Sequence, residues 1–410
     1  MKVKLLFIVS RVFFLAAIVL LQLTLAYKMN VIEFAYVAFG FSILNIAVIA
    51  YNFGFNQFLM YQFSREKETL LEDLFSRLFK IYVLHSIIIT IFFIVFLQFY
   101  EKFYILYSLI FLFIGLLFSF RDYLNVPNII KNNYKKIIIS NFLFAIPIYL
   151  TIILIFLLKA IPLKYFLGLL VILLTIPVFI YDMKDKYSLL FQKTVNKNIF
   201  QQYKKTFYFG ISVFLFTIYY QLSNILLPLL ENEKIVATFG VIFIYLGIIY
   251  ILLNIVFNQI ILPNLYRIYK ENKVLYLNTL NKYKIIFALC GLFLFFFTLL
   301  VSYYTNYANI SILNFINTKY PLLFDGMAYV SFGILARYIA TIYSGNMNVV
   351  GQISLKVKIQ IFITIISFIS TYFLILIYSF IGACIAYSGT EIALLIGYLL
   401  FQGKSNVKKT

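Results

Sequence analysis

The sequence has no tryptophan, one histidine and two cysteines among its 410 residues, and only 14 of its residues are acidic. So few cysteines and histidines provide neither a disulfide framework nor the ligands of a zinc cluster. Only 12% of the residues are charged and 64% are hydrophobic, which is far too apolar for a soluble domain of this length. These absences exclude a soluble enzyme, and we expect no metal and no cofactor.

The hydrophobic residues form twelve runs, most of them long enough to cross a membrane as a helix. A helix needs about 20 apolar residues to cross a hydrocarbon layer of roughly 30 Å. The sequence therefore predicts an all-α integral membrane protein with about twelve transmembrane helices. The runs cover residues 5–26, 31–53, 81–99, 103–120, 137–158, 163–181, 207–229, 235–257, 285–304, 323–345, 357–377 and 380–402.

Lysine and arginine are concentrated on one side of these runs. If the N-terminus is cytoplasmic, 26 of the 34 basic residues lie on the inner side, with Lys358 at the inner end of its run counted among them, and two, Arg11 and Arg337, lie well inside runs. The remaining six are on the outer side, with Lys164 at the outer end of its run: Lys28, Lys102, Lys159, Lys164, Lys234 and Lys319. Because topology follows the lysines and arginines, we predict a multi-pass protein of the inner (cytoplasmic) membrane with both termini in the cytoplasm. The net charge of +20 is spread over every inner loop, which favours an anionic lipid surface over nucleic acid as the partner.

A repeat relates the second run to the eighth. Loops of 27 residues, 54–80 and 258–284, follow the two runs, and Val37-Ala38-Phe39-Gly40 is similar to Val236-Ala237-Thr238-Phe239-Gly240. Five identities share one offset of 202 residues: Asn52, Phe55, Asn56, Gln57 and Arg65 reappear as Asn254, Phe257, Asn258, Gln259 and Arg267. Matched position, loop length and identities together indicate a duplication.

The duplication predicts the organisation of the chain. Each half holds six runs, an even number, so both halves enter the membrane in the same orientation. We therefore expect two six-helix bundles related by a parallel pseudo-two-fold axis, as in alternating-access transporters. The predicted domains are an N-terminal lobe at 1–181, a cytoplasmic linker at 182–206 and a C-terminal lobe at 207–410.

Polar residues recur at helical spacing within several runs. Polar groups facing lipid are costly, so such stripes face protein or water. They either hold helices together through hydrogen bonds or line a polar cavity. The candidates for cavity lining are Gln22, Asn52, Asn56, Tyr220, Gln221, Asn224, Asn254, Asn258 and Thr341.

Arg337 and Arg11 are the candidate substrate-binding residues. A charge in the middle of a transmembrane helix costs about 2.5–3.5 kcal/mol on insertion scales, so it is normally paired or functional. A guanidinium in a dry cavity is well suited to a phosphate, which it binds bidentately. Two alternatives stay open: Arg337 pairs with Glu391 of the twelfth run, and Arg11 extends to the inner headgroups. Glu391 and His85, which is placed at the start of the third run, are weaker candidates for energy coupling.

Signatures of enzymes are absent from the sequence. It has no HExxH, no GxSxG and no Walker loop, and its longest outer loop, 305–322, is 18 residues long. The acidic and basic residues between Arg65 and Leu78 alternate with leucines at helical spacing, which predicts an amphipathic helix on the inner membrane surface. We expect the protein not to be an enzyme.

The order of these features resembles the Wzx-type polysaccharide transporters, the O-antigen flippases of the MOP superfamily. The resemblance rests on two six-run halves, the basic 27-residue loops and segment 219–267, with Tyr219-Tyr220-Gln221, Val236-Ala237-Thr238-Phe239-Gly240 and Leu262-Pro263-Asn264-Leu265. The resemblance extends over nearly the whole chain in topology, but in amino-acid identity it is confined to short stretches. Members of the family often carry an acid in the seventh helix, where this chain has Ser223 and Asn224.

The resemblance implies a flippase with a MATE-like fold. Its cargo would be an undecaprenyl-diphosphate-type lipid-linked oligosaccharide, such as an O-antigen, capsule or similar repeat unit of polysaccharide or lipopolysaccharide biosynthesis. Its partners would be the lipid bilayer and the polysaccharide polymerase and chain-length machinery. Three alternatives remain: a multidrug or cation antiporter of the same superfamily, which usually has acids within its membrane helices, a lipid II flippase, and a polysaccharide polymerase or glycosyltransferase.

Overall fold

A computed structural model of the chain describes residues 2–56, 58, 59, 68–130, 133–158, 162–184, 199–307 and 316–406. Almost all of these residues are helical, as the apolar runs predict. In chain order the elements are α1 (Lys2–Lys28), α2 (Val31–Asn52), α3 (Glu68–Leu97), α4 (Lys102–Ile130), α5 (Tyr134–Leu157), α6 (Leu163–Pro177) with a π-helical end (Val178–Asp182), α7 (Ile199–Leu230), α8 (Glu233–Ile255) with a π-helical end (Val256–Ile261), α9 (Leu262–Glu271), α10 (Lys273–Tyr307), α11 (Leu323–Val350) and α12 (Ile353–Asn406).

Ten helical segments within the described residues are long and apolar enough to cross a membrane. One of them, Ile353–Phe401, has 49 residues and would extend for about 70 Å if it were straight, more than twice the hydrocarbon thickness. It is instead two helices joined at Ser379, whose φ of 50° and ψ of −127° interrupt the helix. A Cβ on Gly382 would overlap the carbonyl of Leu374, so the tight turn requires glycine there. Helix α11 has 28 residues, long enough to cross but less apolar than the ten segments, and with it they make twelve candidate crossings, the number that the sequence predicts.

The outer faces of the helices are apolar, as the membrane prediction requires. On α10, five side chains spaced three or four residues apart are each more than half exposed: Ile285, Leu289, Phe293, Phe296 and Leu300. Such spacing places them along one face of the helix. An exposed apolar face of this length is expected to contact lipid, because water would disfavour it.

The helices pack into two compact units. The N-terminal unit comprises Met1–Asn30 and Tyr36–Thr217, and the C-terminal unit comprises Val31–Ala35 and Ile218–Thr410. In the N-terminal unit α1 packs on α5, and α6 packs on both α4 and α5; in the C-terminal unit α11 packs on α10 and α12. The boundary lies within α7, after the predicted linker 182–206, of which residues 185–198 lie outside the described part of the chain.

Two segments that the sequence places outside the membrane helices are helical in the structure, and each includes the first turns of a membrane helix. The segment 258–284 is predicted as a loop, but it contains α9, whose Leu265 and Ile268 are buried, and the first turns of α10. The predicted amphipathic surface helix around residues 66–78 is, from Glu68 onward, the start of α3. Polar residues there end the apolar run without ending the helix, because hydrogen bonds within the backbone continue past the lipid layer.

Candidate functional site

Arg337 lies in the interior of the C-terminal unit and pairs with Glu391. Its Nη1 is 2.6 Å from Oε1 of Glu391, and the two side chains are 6% and 1% exposed. The guanidinium carbon lies 5.1 Å from the ring centroids of both Tyr220 and Tyr250, so aromatic rings from α7 and α8 enclose the cation. Of the two alternatives that the sequence leaves open for Arg337, the structure has the pair with Glu391.

Close packing of α11 on α12 brings this pair together. Gly333 lies one turn before Arg337, and a Cβ there would come within 2.7 Å of the Tyr387 ring, which is one turn before Glu391. The amide of Gly333 donates to the hydroxyl oxygen of Ser388 at 3.2 Å. The absence of a side chain at Gly333 therefore lets the helices approach at this level, and one turn later the arginine and the glutamate are in contact.

Tyrosine hydroxyls extend the same site. Tyr250 and Tyr387 are hydrogen-bonded to each other through their hydroxyl oxygens, 2.6 Å apart. The hydroxyl of Tyr338, next to Arg337, donates to the carbonyl of Ile249 at 3.0 Å. Such fixed rings and hydroxyls offer both stacking surfaces and hydrogen-bonding groups around a buried ion pair.

The polar candidates on α7 are Tyr220, Gln221 and Asn224. One of them contacts Arg337, and the other two are hydrogen-bonded to each other. Tyr220 contacts Arg337, as described above. Gln221 and Asn224 are buried, and Asn224 Nδ2 donates to Gln221 Oε1 at 3.1 Å. Thr341, the cavity candidate of α11, donates through Oγ1 to the carbonyl of Arg337 at 2.8 Å. Cavity lining by Gln221, Asn224 and Thr341 stays a prediction.

Arg11 lies in the N-terminal unit, beside an acid that the sequence did not suggest as its partner. Its Nη1 is 4.0 Å from Oδ1 of Asp122 in α4, beyond hydrogen-bonding distance. The two side chains are 27% and 33% exposed, so this is a loose and partly solvated ion pair. Gln22, the other candidate on α1, is half-buried.

Arg121 is a further arginine deep inside a membrane span, and the apolar runs do not indicate it. It is 2% exposed, and its guanidinium carbon lies 4.6 Å from the ring centroid of Phe14 and 4.5 Å from that of Phe144. Its Nε donates to the Ser140 hydroxyl oxygen at 3.1 Å, and its Nη2 donates to Oδ1 of Asn141. Two aromatic rings and two acceptors hold this cation inside the N-terminal unit.

An acid from α6 completes the hydrogen-bond network of Arg121. Ser140 Oγ donates to Asp182 Oδ2 at 3.1 Å, and Asn125 Nδ2 lies 3.3 Å from Asp182 Oδ1. The predicted fourth run ends at residue 120, which places Arg121 in an inner loop, whereas α4 continues to Ile130. The signal available in the sequence was the four-residue spacing of Arg121 and Asn125, which puts both on one helix face.

The repeated asparagines lie where α2 and α8 lose regular α-helical geometry. Helix α2 ends at Asn52, and Gly54, two residues later, has a φ of 78°. The position equivalent to Gly54, 202 residues later, is Val256, where the π-helical segment of α8 begins. Asn56 Nδ2 donates to Asn52 Oδ1 at 3.1 Å. The side chains of Asn254 and Asn258 lie outside the described residues.

His85 lies in the middle of its membrane span and not near its start. The apolar run begins at residue 81, but the span covers Leu74–Leu97. The imidazole Nε2 donates to the carbonyl of Ala50 at 2.8 Å. That carbonyl belongs to the last turn of α2, whose carbonyls have no donor within the helix. His85 therefore caps the end of α2, and its role in coupling stays a prediction.

The structure brings Arg337, Glu391 and Tyr220 together and places Arg11 in the other unit. The described residues contain no group of three or more His, Cys, Asp or Glu side chains that could hold a metal ion. What the two arginine sites can do chemically is bind anions, hydrogen-bond polar groups and stack on rings.

The sequence matches no protein-family model and no curated protein. Solved structures nevertheless share its fold. A multidrug resistance MATE family transporter of the MOP superfamily, in its inward-facing conformation, superposes with a TM-score of 0.67 at 13% identity, over 96% of this chain and 95% of that one. The lipid II flippase MurJ in an inward closed conformation gives 0.67 at 12% identity, over 98% and 87%.

A MOP superfamily transporter from Pyrococcus furiosus, described as having a binding pocket of reversed polarity that suggests a different function, gives 0.58 at 13% identity, over 100% and 97%. Identities this low concern the fold alone. The chain has the twelve-helix fold of the MOP superfamily transporters, which confirms the predicted fold class.

Proposed function

We propose that this chain is a flippase for a lipid-diphosphate-linked oligosaccharide, such as an O-antigen, capsule or similar repeat unit. It moves the head group from the inner to the outer leaflet of the cytoplasmic membrane by alternating access. The shared fold supports a transporter, and the lipid II flippase among the similar structures supports a lipid-linked cargo. The fold alone does not determine the cargo, since one similar structure is described by the reversed polarity of its pocket.

The observation that carries the proposal is the arrangement of acids within the described spans. Asp122, Asp182 and Glu391 are the acids that lie in these spans beyond the first helical turn, and each has an arginine nearby. Asp122 faces Arg11, Glu391 bonds to Arg337, and Asp182 is linked to Arg121 through Ser140. Acids neutralised in this way are poor sites for a cationic cargo, whereas arginines are good ligands for a diphosphate.

In this mechanism Arg337 and Arg11 are the diphosphate ligands. Arg337 exchanges the Glu391 carboxylate for a phosphate when the head group enters, and the rings of Tyr220 and Tyr250 then lie beside the first sugar. Gln221 and Asn224 provide hydrogen bonds to sugar hydroxyls, while the lipid tail stays in the bilayer. The basic inner loops orient the chain with both termini in the cytoplasm and adjacent to anionic headgroups.

A cellular experiment tests the proposal. Deleting the gene should remove surface glycan and cause lipid-linked repeat units to accumulate on the inner leaflet, without changing resistance to cationic dyes. Loss of dye resistance with normal surface glycan would favour the antiporter and contradict the proposal. If surface glycan is lost as expected, co-purification should identify the partner proteins, a polymerase and its chain-length machinery.

Variants of Arg337 test its role in the same assay. Arg337→Ala should abolish surface glycan at normal protein abundance, and Arg337→Gln should behave the same because it keeps polarity without charge. Arg337→Lys should restore export only in part, since an ammonium lacks the bidentate fork. The double change Arg337→Ala with Glu391→Ala should remain inactive. Restored export in that double variant would show that Arg337 only neutralises Glu391.

A further inference from the structure

Three arginines that lie beyond the first turn of a described membrane span or of α11 have partners of different strength. Arg337 and Glu391 are hydrogen-bonded at 2.6 Å and almost fully buried. Arg121 is 2% exposed and donates to two acceptors. Arg11 has its acid at 4.0 Å, and both side chains of that pair remain about a quarter to a third exposed. Of these three cations, Arg11 is the one that can change its partner most easily.

The ease of exchanging a partner depends on the free energy lost when the existing ion pair breaks. A partly exposed ion pair contributes little, since water screens the attraction. A buried pair loses far more when one partner leaves, because the remaining charge stays desolvated. A phosphate carries more charge than a carboxylate and accepts two parallel hydrogen bonds from a guanidinium, so it competes well with a carboxylate that is not hydrogen-bonded.

The Arg121 network fixes this pair in place. Asn141, which accepts from Arg121, donates through Nδ2 to the Ser10 hydroxyl oxygen at 3.0 Å, and Ser10 precedes Arg11. On the other side of the pair, Asp122 follows Arg121 directly in α4. The buried network therefore ties α1, α4 and α5 together at the level where Arg11 and Asp122 face each other.

We propose that Arg11 and Asp122 form an exchangeable anion site, in which Asp122 is the resident counter-ion that a phosphate or diphosphate displaces. The inference rests on the proposed function and adds Asp122 as a specificity-determining residue. A singly charged carboxylate gains no more from Arg11 than Asp122 already does, so Asp122 restricts the site to ligands with enough charge to replace it. Phosphate chemistry is what the site recognises, whether it belongs to a lipid headgroup or to a free ion.

A binding experiment on the full chain tests the site. The protein is placed in nanodiscs of phosphatidylcholine, and the affinities for farnesyl diphosphate, inorganic pyrophosphate and acetate are measured. Asp122→Asn should tighten diphosphate binding by about fivefold, the size expected from an exposed ion pair, and should raise acetate binding from none to detectable. Asp122→Ala serves as a second variant with the same expected gain. Asp325→Asn is the matched control, since it removes the same charge from an exposed position in the first turn of α11.

The decisive comparison is a double-mutant cycle with Arg11→Ala. Arg11→Ala should weaken diphosphate binding at least about tenfold, and Asp122→Asn should then give no gain. A gain that persists without Arg11, or that equals the gain of Asp325→Asn, would be a general charge effect and overturn the inference. Failure of both diphosphates to bind the wild-type chain would also overturn it. Binding of farnesyl diphosphate without pyrophosphate supports a lipid headgroup as the source, and binding of both supports recognition of the diphosphate alone.

The experiment separates this inference from the proposed function. An Arg11-dependent gain at Asp122 in a protein that moves no lipid-linked oligosaccharide would leave the anion site standing and refute the flippase. If Asp122→Asn gives no Arg11-dependent gain in diphosphate binding, and the protein does move the oligosaccharide, the anion site alone is refuted.

Discussion

Removing Glu391 should destabilise the protein more than removing Arg337, although the two residues form one ion pair. Glu391→Ala leaves the guanidinium of Arg337 buried without its counter-ion, and arginine cannot lose its proton inside a protein. Arg337→Ala leaves a carboxylate, which can bind a proton and become neutral. The two truncations therefore leave unequal penalties behind.

The magnitude follows from the geometry of the pair. The side chains are 6% and 1% exposed and their atoms are 2.6 Å apart, so neither keeps much solvation. Truncating one member of such a pair costs about 3–5 kcal/mol. Contacts of Arg337 with Tyr220 and Tyr250 already exist in the wild-type chain, so they offer no new compensation. We expect Glu391→Ala to cost about 3–5 kcal/mol, and Arg337→Ala and the double variant to cost less.

A native thiol provides the assay. Cys384 is fully buried in α12, two turns before Glu391, whereas Cys290 is exposed. In a Cys290→Ser background, a thiol-reactive dye should label Cys384 only when this region unfolds, and heating in detergent gives a melting temperature. Glu391→Ala should lower it by on the order of 10 °C. The reasoning would be refuted if Arg337→Ala melted at or below Glu391→Ala, or if the double variant were the least stable of the three.

Three further predictions concern the topology and the N-terminal unit. Introduced cysteines at Lys193, Lys273 and Lys408 should be accessible from the cytoplasm, and those at Glu233 and Asn309 from outside; Lys193, Lys408 and Asn309 lie outside the described residues. An outside result at Lys193 would overturn the orientation. Gly210→Ala should destabilise the protein by about 1–3 kcal/mol, because a Cβ there would overlap the carbonyl of Phe53, and unchanged melting would contradict that contact. Asp182→Ala should cost about 3 kcal/mol by leaving the Arg121 network without its acid, whereas Asp325→Ala should have little effect, when thermal unfolding of the whole protein in detergent is followed by circular dichroism.

The helices were predictable because lipid imposes length and apolarity on each crossing. The break between the last two runs was also predictable, and the structure places it at Ser379. The ends of the helices were harder to predict from the sequence. The end of an apolar run marks where lipid contact ends, but the hydrogen-bonded helix continues beyond it. For this reason the apolar runs place Arg121 in a loop and His85 at a membrane boundary, whereas both lie inside spans.

The partners of the charged residues depend on packing that hydropathy does not encode. The sequence offered Glu391 as a partner of Arg337 but did not decide it, because the contact requires Gly333 to admit Tyr387 one turn away. The pair of Arg11 with Asp122 depends on the register of α1 against α4, which the buried Arg121 network sets. Such registers arise from three-dimensional contacts among several helices.

Reconstituted transport tests the central claim most directly. The purified chain is placed in liposomes with a fluorescent undecaprenyl-diphosphate-linked oligosaccharide, and the fraction of head groups accessible to an added glycosidase is followed over time. The account predicts that the accessible fraction rises well above that of protein-free liposomes and that Arg337→Ala abolishes the rise. An accessible fraction equal to that of protein-free liposomes, in vesicles that exchange organic cations for protons, would contradict it.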